Sequence, residues 1–487
     1  MLIHELLQGV THKAAHYDKT LEITKVAIDS RQVVPGALFV CLNGLTANGH
    51  NYAQQAIQCG AAAIVAQEDI GNASVPVISV ASTRQALAYI AANFYHNPAH
   101  KLRLVGITGT NGKTTTTCFI EEMLRNLGRK TGLIGTIGAK IGSLQLDIPF
   151  ATSTTPDPLE LNHIFATMLN HGVQDVVMEV SSHALALHKM LGLVFDVGVF
   201  TNLTQDHLDF HGTMENYSHA KAQLFAQSRF AVVNNDDKYT PVMLRALGKN
   251  PYATYSINAP SNLQASALDF THAGTNFSAA GVTYNMQVAG EFNVYNMLAA
   301  ISTVQHLLPQ QETELKAVVE GIAGVPGRIQ AVPNSIGAHI LVDYAHTPDG
   351  LENIISAVRK FATGRVITIF GCGGNRDTTK RPAMGLIAGK LSDYCIITSD
   401  NPRNEDPLAI IAHVEEGIRN TNCEYSICAN RKDAIVMGIG LLQAGDALII
   451  AGKGHEDYQE INGEKHAFSD YGVAATAILE AEHEPNN

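Results

Sequence analysis

The residues that most plainly invite chemistry are GITGTNGKTTT, positions 106–116. A buried apolar run, LRLVGI, leads into them, and a segment with Phe119, Ile120, Met123, Leu124 and Leu127 at helical spacing follows. Strand, glycine-rich turn and helix start together form a phosphate cradle. The glycines let backbone N–H groups curl around an anion, Lys113 adds a positive charge, and Thr114 can offer its hydroxyl to magnesium at the helix N-terminus. The common eight-residue phosphate-loop spacing is not met, because Ile107 stands five places before Gly112; the loop is the shorter Gly109-x-x-Gly112-Lys113-Thr114, with Thr110, Asn111 and Thr115 between and after. A second candidate is Glu179, which ends the apolar run DVVMEV, where a buried unpaired carboxylate would be costly without a function.

Such groups must be positioned by elements that the pattern also reveals. Short apolar runs alternate with helix-period segments from end to end, as in α/β folds with mostly parallel sheets. AAAIVAQ (61–67) and VPVISVA (75–81) read as strands and TRQALAYIAANFY (83–95) as an amphipathic helix, with NPAHK (97–101) as a linker. LRLVGITG (102–109) opens a second unit that closes near GVPGR (324–328), and a third fills the remainder. Seven strands run into polar loops: LRLVGI, DVVMEV and FDVGVF in the middle unit, and HILVDY, RVITIF, YCIIT and ALIIA in the last. Ligands of open parallel sheets bind beyond the carboxyl ends of strands, so the expectation is two facing sites with a reaction between units.

Composition narrows the class. A chain of 487 residues exceeds one core and predicts about three domains of about 100–200 residues each. With 45 acidic against 33 basic side chains, the net charge of −12 argues against a nucleic-acid surface. The seven cysteines form no Cys-x-x-Cys pair, so neither a zinc ribbon nor a disulfide framework is expected. The opening MLIHELLQGVTHKAAHYDK is broken by polar residues before it could form a signal-peptide core, and no run approaches the ~18 apolar residues of a membrane span. A cytoplasmic protein is expected.

GTNGKTT resembles the ATP loop shared by muramyl ligases and folylpolyglutamate synthetases, and the likeness continues along the chain. IDSRQVVPGALFVCLNGLTANGH (28–50) resembles the uridine-nucleotide-binding domain of the diaminopimelate- and lysine-adding ligases. There follow STTPDPLEL (153–161), MEVSSHAL (178–185), NLTQDHLDFHG (202–212), HAKAQLF (219–225), GEFNVYNMLAA (290–300), PGR (326–328), VDYAHTPDG (342–350), DNPRNEDP (400–407) and GKGHEDY (452–458). The chain thus resembles the muramyl ligases over nearly its whole length. That resemblance implies an α/β fold of three domains: a small N-terminal α/β domain binding the UDP-substrate (1–99), a central P-loop-type mononucleotide-binding domain with a parallel-rich sheet (100–328), and a C-terminal Rossmann-like domain binding the amino acid (329–487).

The activity it implies is ATP-dependent ligation of meso-diaminopimelate to the D-Glu carboxylate of UDP-N-acetylmuramoyl-L-Ala-D-Glu through an acyl-phosphate, by a monomer with no nucleic-acid partner. By the same resemblance, Thr114 and Glu179 ligate a first magnesium, while Glu179, His207 and a carbamylated Lys221 ligate a second. An ordinary lysine is a cation; CO2 addition would turn Lys221 into a long carboxylate. Asn293, Asn296, Arg328 and Asp343 match positions associated with ATP or its domain junction. Ile28 and Ser30 should meet the uridine portion, and Ser153, Thr154, Thr155, Ser181 and Lys189 the sugar-peptide. Where this family usually carries Gln and Arg after SSHAL, the chain has Leu187 and Lys189, so those contacts must be rearranged. Arg376 should take one end of the amino acid, Arg403 the distal carboxylate from the substrate-binding run Asp400, Asn401, Pro402 and Arg403, and Gly452 with Glu456 the distal ammonium. Lysine-adding relatives typically lack an arginine at the Arg403 position. The lysine-adding ligase, the D-alanyl-D-alanine-adding ligase, folylpolyglutamate synthetase and a catalytically silent scaffold of the same fold are the alternatives; the last predicts eroded phosphate and metal residues.

Overall fold

The computed structural model describes residues 1–13, 17–44, 47–148, 154–271, 274–309 and 312–483. Three large sheets carry the described residues in sequence order, with a two-stranded hairpin sheet near the C-terminal end. The first has four parallel strands, Lys25–Ala27, Ala37–Val40, Ala61–Ala66 and Val77–Ser79, side by side in chain order. The helix Thr83–Phe94 buries Ala86, Leu87 and Ile90 against it. Residues 97–101, expected as a linker, instead form the 3-10 turn Pro98–Lys101 with Pro98 and Ala99 buried; proline fixes the first position of the turn and alanine is small enough to pack.

The second sheet has Arg103–Thr108 near its middle, flanked in parallel by Asp175–Glu179 and Phe195–Phe200, with Ile107 opposite Glu179 and Thr108 opposite Phe200. Thr131–Gly135 extends one side, and Ser228–Asn234 and Tyr252–Ser256 the other. Both margins then turn antiparallel. Leu263–Thr271, Gly274–Ala279 and Val282–Met286 form a meander that the apolar pattern of the sequence does not reveal. Central strands bury both faces, which is why they read as continuous apolar runs rather than alternating ones. One face is covered by the helices Lys113–Asn126 and Glu291–Leu307, and the other receives Phe165, Met168, Leu224 and Phe225. Gly106 sits where Phe195 and Leu224 leave no room for a side chain: an added Cβ would lie 2.8 Å from the ring.

The third sheet runs in the order Gln330–Ala331, His339–Asp343, Ala447–Ala451, Val366–Phe370, Tyr394–Ile397 and Glu424–Ile427, parallel except for its first strand. Helices pack on both faces, giving it two apolar cores of its own. All seven strands read from the sequence as loop-bearing are present, and their C-terminal ends carry the polar loops.

Candidate active site

The phosphate loop is built as its residue types require. Gly112 has φ +82°, and a Cβ there would collide with the Asn296 amide on the neighbouring helix, so only glycine fits. The helix begins at Lys113, leaving the first backbone N–H groups facing the loop. The Lys113 ammonium folds back onto the carbonyls of Gly109 (3.0 Å) and Thr110 (2.8 Å), while Thr110 Oγ1 lies 3.2 Å from the Tyr217 hydroxyl. Burial lowers the Lys113 pKa, countered by Glu179 and Asp206. Thr114 and Thr115 are buried, and Thr114 Oγ1 accepts from Arg328 Nη2 at 3.1 Å. Thr116 Oγ1 and Asn296 Oδ1 are 3.2 Å apart, and Asn296 Nδ2 donates to Asn293 Oδ1 at 3.1 Å, so both asparagines brace the loop.

Glu179 sits at the strand end, almost wholly buried, accepting from the Thr136 amide (2.8 Å) and hydroxyl (3.1 Å). Lys221, also buried, donates to the Gly109 carbonyl at 2.7 Å and lies 4.6 Å over the Tyr217 ring. Burial, reinforced by the nearby Lys113 charge, holds its pKa well below the ordinary lysine range. His207, in a left-handed conformation (φ 55°), places Nε2 3.3 Å from Asp206, and burial pulls its pKa down. Thr114, Glu179, His207 and Lys221 therefore surround the phosphate loop, yet their side chains are engaged elsewhere and do not converge on one point. A lysine amine is a donor and turns to a carbonyl; only with CO2 attached would it become an acceptor. Among the described residues, no group of three or more His, Cys, Asp or Glu is arranged to hold a metal ion.

Loops of the third sheet reach this centre. Arg328 stacks 4.4 Å from the Tyr344 ring while donating to Thr114, and Asn111 donates to Asp349 at the start of the helix Pro348–Arg359. Asp343 accepts from the Ile329 and Ala345 amides, both at 2.8 Å, and so fixes the junction beside Arg328; burial raises its pKa. A cavity of about 530 Å³, lined among others by Arg125, Thr136, Lys140, Tyr344, His455 and Glu456, opens between the two units.

The loop Asp400, Asn401, Pro402 and Arg403 lies beside Gly452–Glu456. Asn401 Nδ2 donates to Glu456 Oε2 at 2.8 Å, and the fully buried Lys453 donates to Asn401 Oδ1 (3.0 Å) and to the same Glu456 oxygen (2.8 Å). Arg403 (φ 54°) donates to the Gly374 carbonyl at 2.8 Å and stands 3.2 Å from Glu460. Arg376 is exposed on the same glycine-rich loop as Gly374. Lys453 and Glu460 were not singled out from sequence. Lys453 sits inside the quoted GKGHEDY, directly after an apolar strand, which was the available signal; Glu460, on the hairpin Tyr458–Ile461 with Glu464–Ala467, gave none.

Of the remaining expected contacts, those of the first unit lie apart and those after residue 153 lie beside Glu179. Ser30 Oγ donates to Gln55 at 3.0 Å in the first unit, beside the partly buried Ile28. Thr154 Oγ1 is 3.4 Å from that of Thr136, and Thr155 donates to the Glu179 carbonyl (3.0 Å) and to Ser181 (3.3 Å), which caps the following turn. These residues stand next to Glu179. Ser153 lies outside the described residues. Lys189 is ion-paired with Asp157 at 2.8 Å, so the residue that departs from the usual arginine is already engaged.

Three family models match the chain: "Mur ligase family, catalytic domain" over residues 22–95, "Mur ligase middle domain" over 107–304, and "Mur ligase, glutamate ligase domain" over 327–454. A UDP-N-acetylmuramoyl-L-alanyl-D-glutamate--2,6-diaminopimelate ligase of Bacillus cereus is 47% identical over 471 residues, covering 94% of each chain. One of the same description from Caldanaerobacter subterraneus subsp. tengcongensis is 42% identical over 491 residues, covering 99% of this chain and 100% of its own. A solved structure of a ligase so described superposes with a TM-score of 0.70 at 30% identity, covering 99% of both chains. The fold is shared by a MurF ligase of Thermotoga maritima in complex with ADP, at a TM-score of 0.61, 18% identity and coverage of 95% and 98%.

Proposed function

The chain belongs to the Mur ligase family, and on that premise we propose that it joins meso-diaminopimelate to the D-Glu carboxylate of UDP-N-acetylmuramoyl-L-Ala-D-Glu at the expense of ATP, in the synthesis of peptidoglycan precursor. The observation that carries the reading is the meeting of two loop sets. Asp349 ties the third unit to Asn111 of the phosphate loop, and Arg328, at the end of the second unit, bridges Thr114 to Tyr344 of the third, while Asp400–Arg403 and Glu456 stand on that same third unit. A phosphate donor and an amine acceptor would thus be served from facing sheet ends.

Bringing a carboxylate to ATP opposes anion to anion, so most of the catalysis is positioning and charge compensation. Lys113 and the N–H groups starting its helix receive the phosphates, Asn293 and Asn296 hold the loop in shape, and Arg328 adds a second cation. Magnesium, when bound, would neutralise charge on the transferring phosphoryl group. Thr114, Glu179, His207 and a carbamylated Lys221 would be the residues to hold it: the donor types suit magnesium, and their side chains would have to turn from their present partners to converge on it. The low pKa of Lys221 favours the neutral amine whose lone pair can add CO2.

Residues 1–99, with Ile28 and Ser30, receive the uridine portion; Thr154, Thr155, Ser181 and Lys189 line the path toward Glu179. Arg376 and the Asp400–Arg403 loop receive the amino acid, with Arg403 on its distal carboxylate and Glu456 on an ammonium. No helix among the described residues is long and apolar enough to cross a membrane; a cytoplasmic reaction is the reading that its two nucleotide substrates support.

The deciding experiment offers purified protein ATP, magnesium and UDP-N-acetylmuramoyl-L-Ala-D-Glu with each candidate amino acid in turn. The expected result is phosphate release and a UDP-tripeptide with meso-diaminopimelate. Product with another amino acid and none with diaminopimelate would overturn the substrate; no nucleotide-dependent product at all would overturn the activity.

A further inference from the structure

Behind the two loops assigned to the amino acid lies an ion pair that the reaction chemistry does not use. Arg431 begins the helix Arg431–Gly440 and Asp470 the helix Asp470–His483; neither has any exposed side-chain surface. The guanidinium grips the carboxylate with Nε on Oδ1 and Nη2 on Oδ2, each at 2.7 Å. Its remaining donors go to backbone: Nη2 to the Ala451 carbonyl at 2.9 Å and Nη1 to the Ser399 carbonyl at 3.4 Å.

Those two carbonyls belong to the residues just before Gly452 and Asp400. One planar group therefore joins the roots of both loops, Asp400–Arg403 on one strand end and Gly452–Glu456 on another. The loops are pressed together at that point. Gly452 has φ +120°, and an added Cβ would stand 2.6 Å from Asp400 Oδ2 and 3.8 Å from Arg431 Nη2. Further out, the second tie is made by Asn401, which accepts from Lys453 and donates to Glu456. A fully buried ion pair gives little net stability over an apolar pair of the same volume, so stability does not account for this one. A guanidinium does differ from an apolar filler in one respect: its fixed fork holds several acceptors at set spacings.

We propose that Arg431 and Asp470 are a positioning pair that fixes the spacing of the two amino-acid-binding loops and so sets the affinity for the incoming amino acid. The proposal rests on the assignment of those loops to the amino acid. The pair touches no substrate; it acts through the carbonyls of Ser399 and Ala451.

The test uses the full chain carrying Arg431→Met together with Asp470→Leu, which removes both charges and leaves neither partner buried alone. Asp470→Asn serves as a milder second variant should the double variant fail to fold. Two quantities are read. Amide hydrogen exchange of the ligand-free protein should rise in residues 400–403 and 452–456 and stay unchanged in the helices Lys380–Leu391 and Pro407–Ile418. In steady-state kinetics, the KM for diaminopimelate should rise about tenfold or more, while kcat and the KM for ATP stay within about threefold, since small loop displacements weaken positioning without touching the phosphate site. Arg431→Lys, which keeps the charge but not the fork, should fall between. Unchanged exchange in both loops, or loosened loops with a diaminopimelate KM within about twofold of the unaltered protein, would overturn the proposal. An unaltered protein that ligates no diaminopimelate would instead strike the functional reading, and the exchange data would still decide the clamp.

Discussion

Arg403→Ala is the substitution whose effect the geometry constrains most tightly. Diaminopimelate differs from lysine by one carboxylate, and the guanidinium assigned to it can offer two charge-assisted hydrogen bonds. Each is worth about 1.5–3 kcal/mol, so losing both costs about 3–6 kcal/mol, or about 10²–10⁴-fold in kcat/KM at about 1.4 kcal/mol per decade. The sequence alone favours the upper end, since a site built for a polar group can reject its analogue by about 10⁴-fold or more. The structure moves the expectation down. Arg403 already donates to the Gly374 carbonyl and stands 3.2 Å from Glu460, so it is not left bare when lysine enters. We expect Arg403→Ala to lose about 10²–10³-fold in kcat/KM for diaminopimelate, mainly through its KM, with lysine changed by less than about threefold and ATP unaffected. The assay is coupled phosphate release with each amino acid varied at saturating ATP and UDP-substrate. If the substitution left the ratio of the two amino acids unchanged, Arg403 would not be the residue that reads the distal carboxylate, although the ligase assignment would stand.

Three other perturbations test separate parts of the site and fold. Lys113→Ala should remove most ligation, by about 10²-fold or more, without unfolding the protein; a folded variant with normal turnover would dismiss the phosphate role. Lys221→Ala should abolish acyl-phosphate formation, measured by trapping with hydroxylamine, and short carboxylic acids should restore part of it. Recovery by short amines but not by acids would show that the carbamate reading is mistaken. Gly106→Ala should destabilise the central sheet by about 1–3 kcal/mol, because Phe195 and Leu224 must shift; a melting temperature equal to that of the unaltered protein would contradict the packing described.

The fold was legible where burial alone dictates residue type. Val105, Val177, Val197 and their neighbours form continuous apolar runs because both faces of those strands are covered, and the loops after them were readable by contrast. The meander Leu263–Met286 was not, because an edge with one solvated face mixes Thr, Asn and Ser into the pattern. In the site, Gly112 and Lys113 were readable because a glycine-rich turn with a lysine between a buried strand and a helix start imposes a chemistry. Glu179 stands out as a carboxylate ending an apolar strand, whereas His207 and Lys221 carry an ordinary local context and only resemblance links them to it. Arg431 and Asp470 are 39 residues apart, with neither in a motif, so nothing short of a fold could pair them.

Each sheet has apolar cores of its own, and this bears on how such a chain can change over generations. The residues proposed to receive the amino acid, Arg376, Arg403 and Glu456, hang from the third sheet, whereas Lys113, Glu179, His207 and Lys221 belong to the second. The two sets of residues thus rest mainly on separate apolar cores, joined where Phe292 packs against the third core and where Asp349 accepts from Asn111 of the phosphate loop. Lineages can retune which building block enters the wall while inheriting the energy-coupling machinery intact, and a laboratory exchange of the third unit between relatives is the corresponding shortcut.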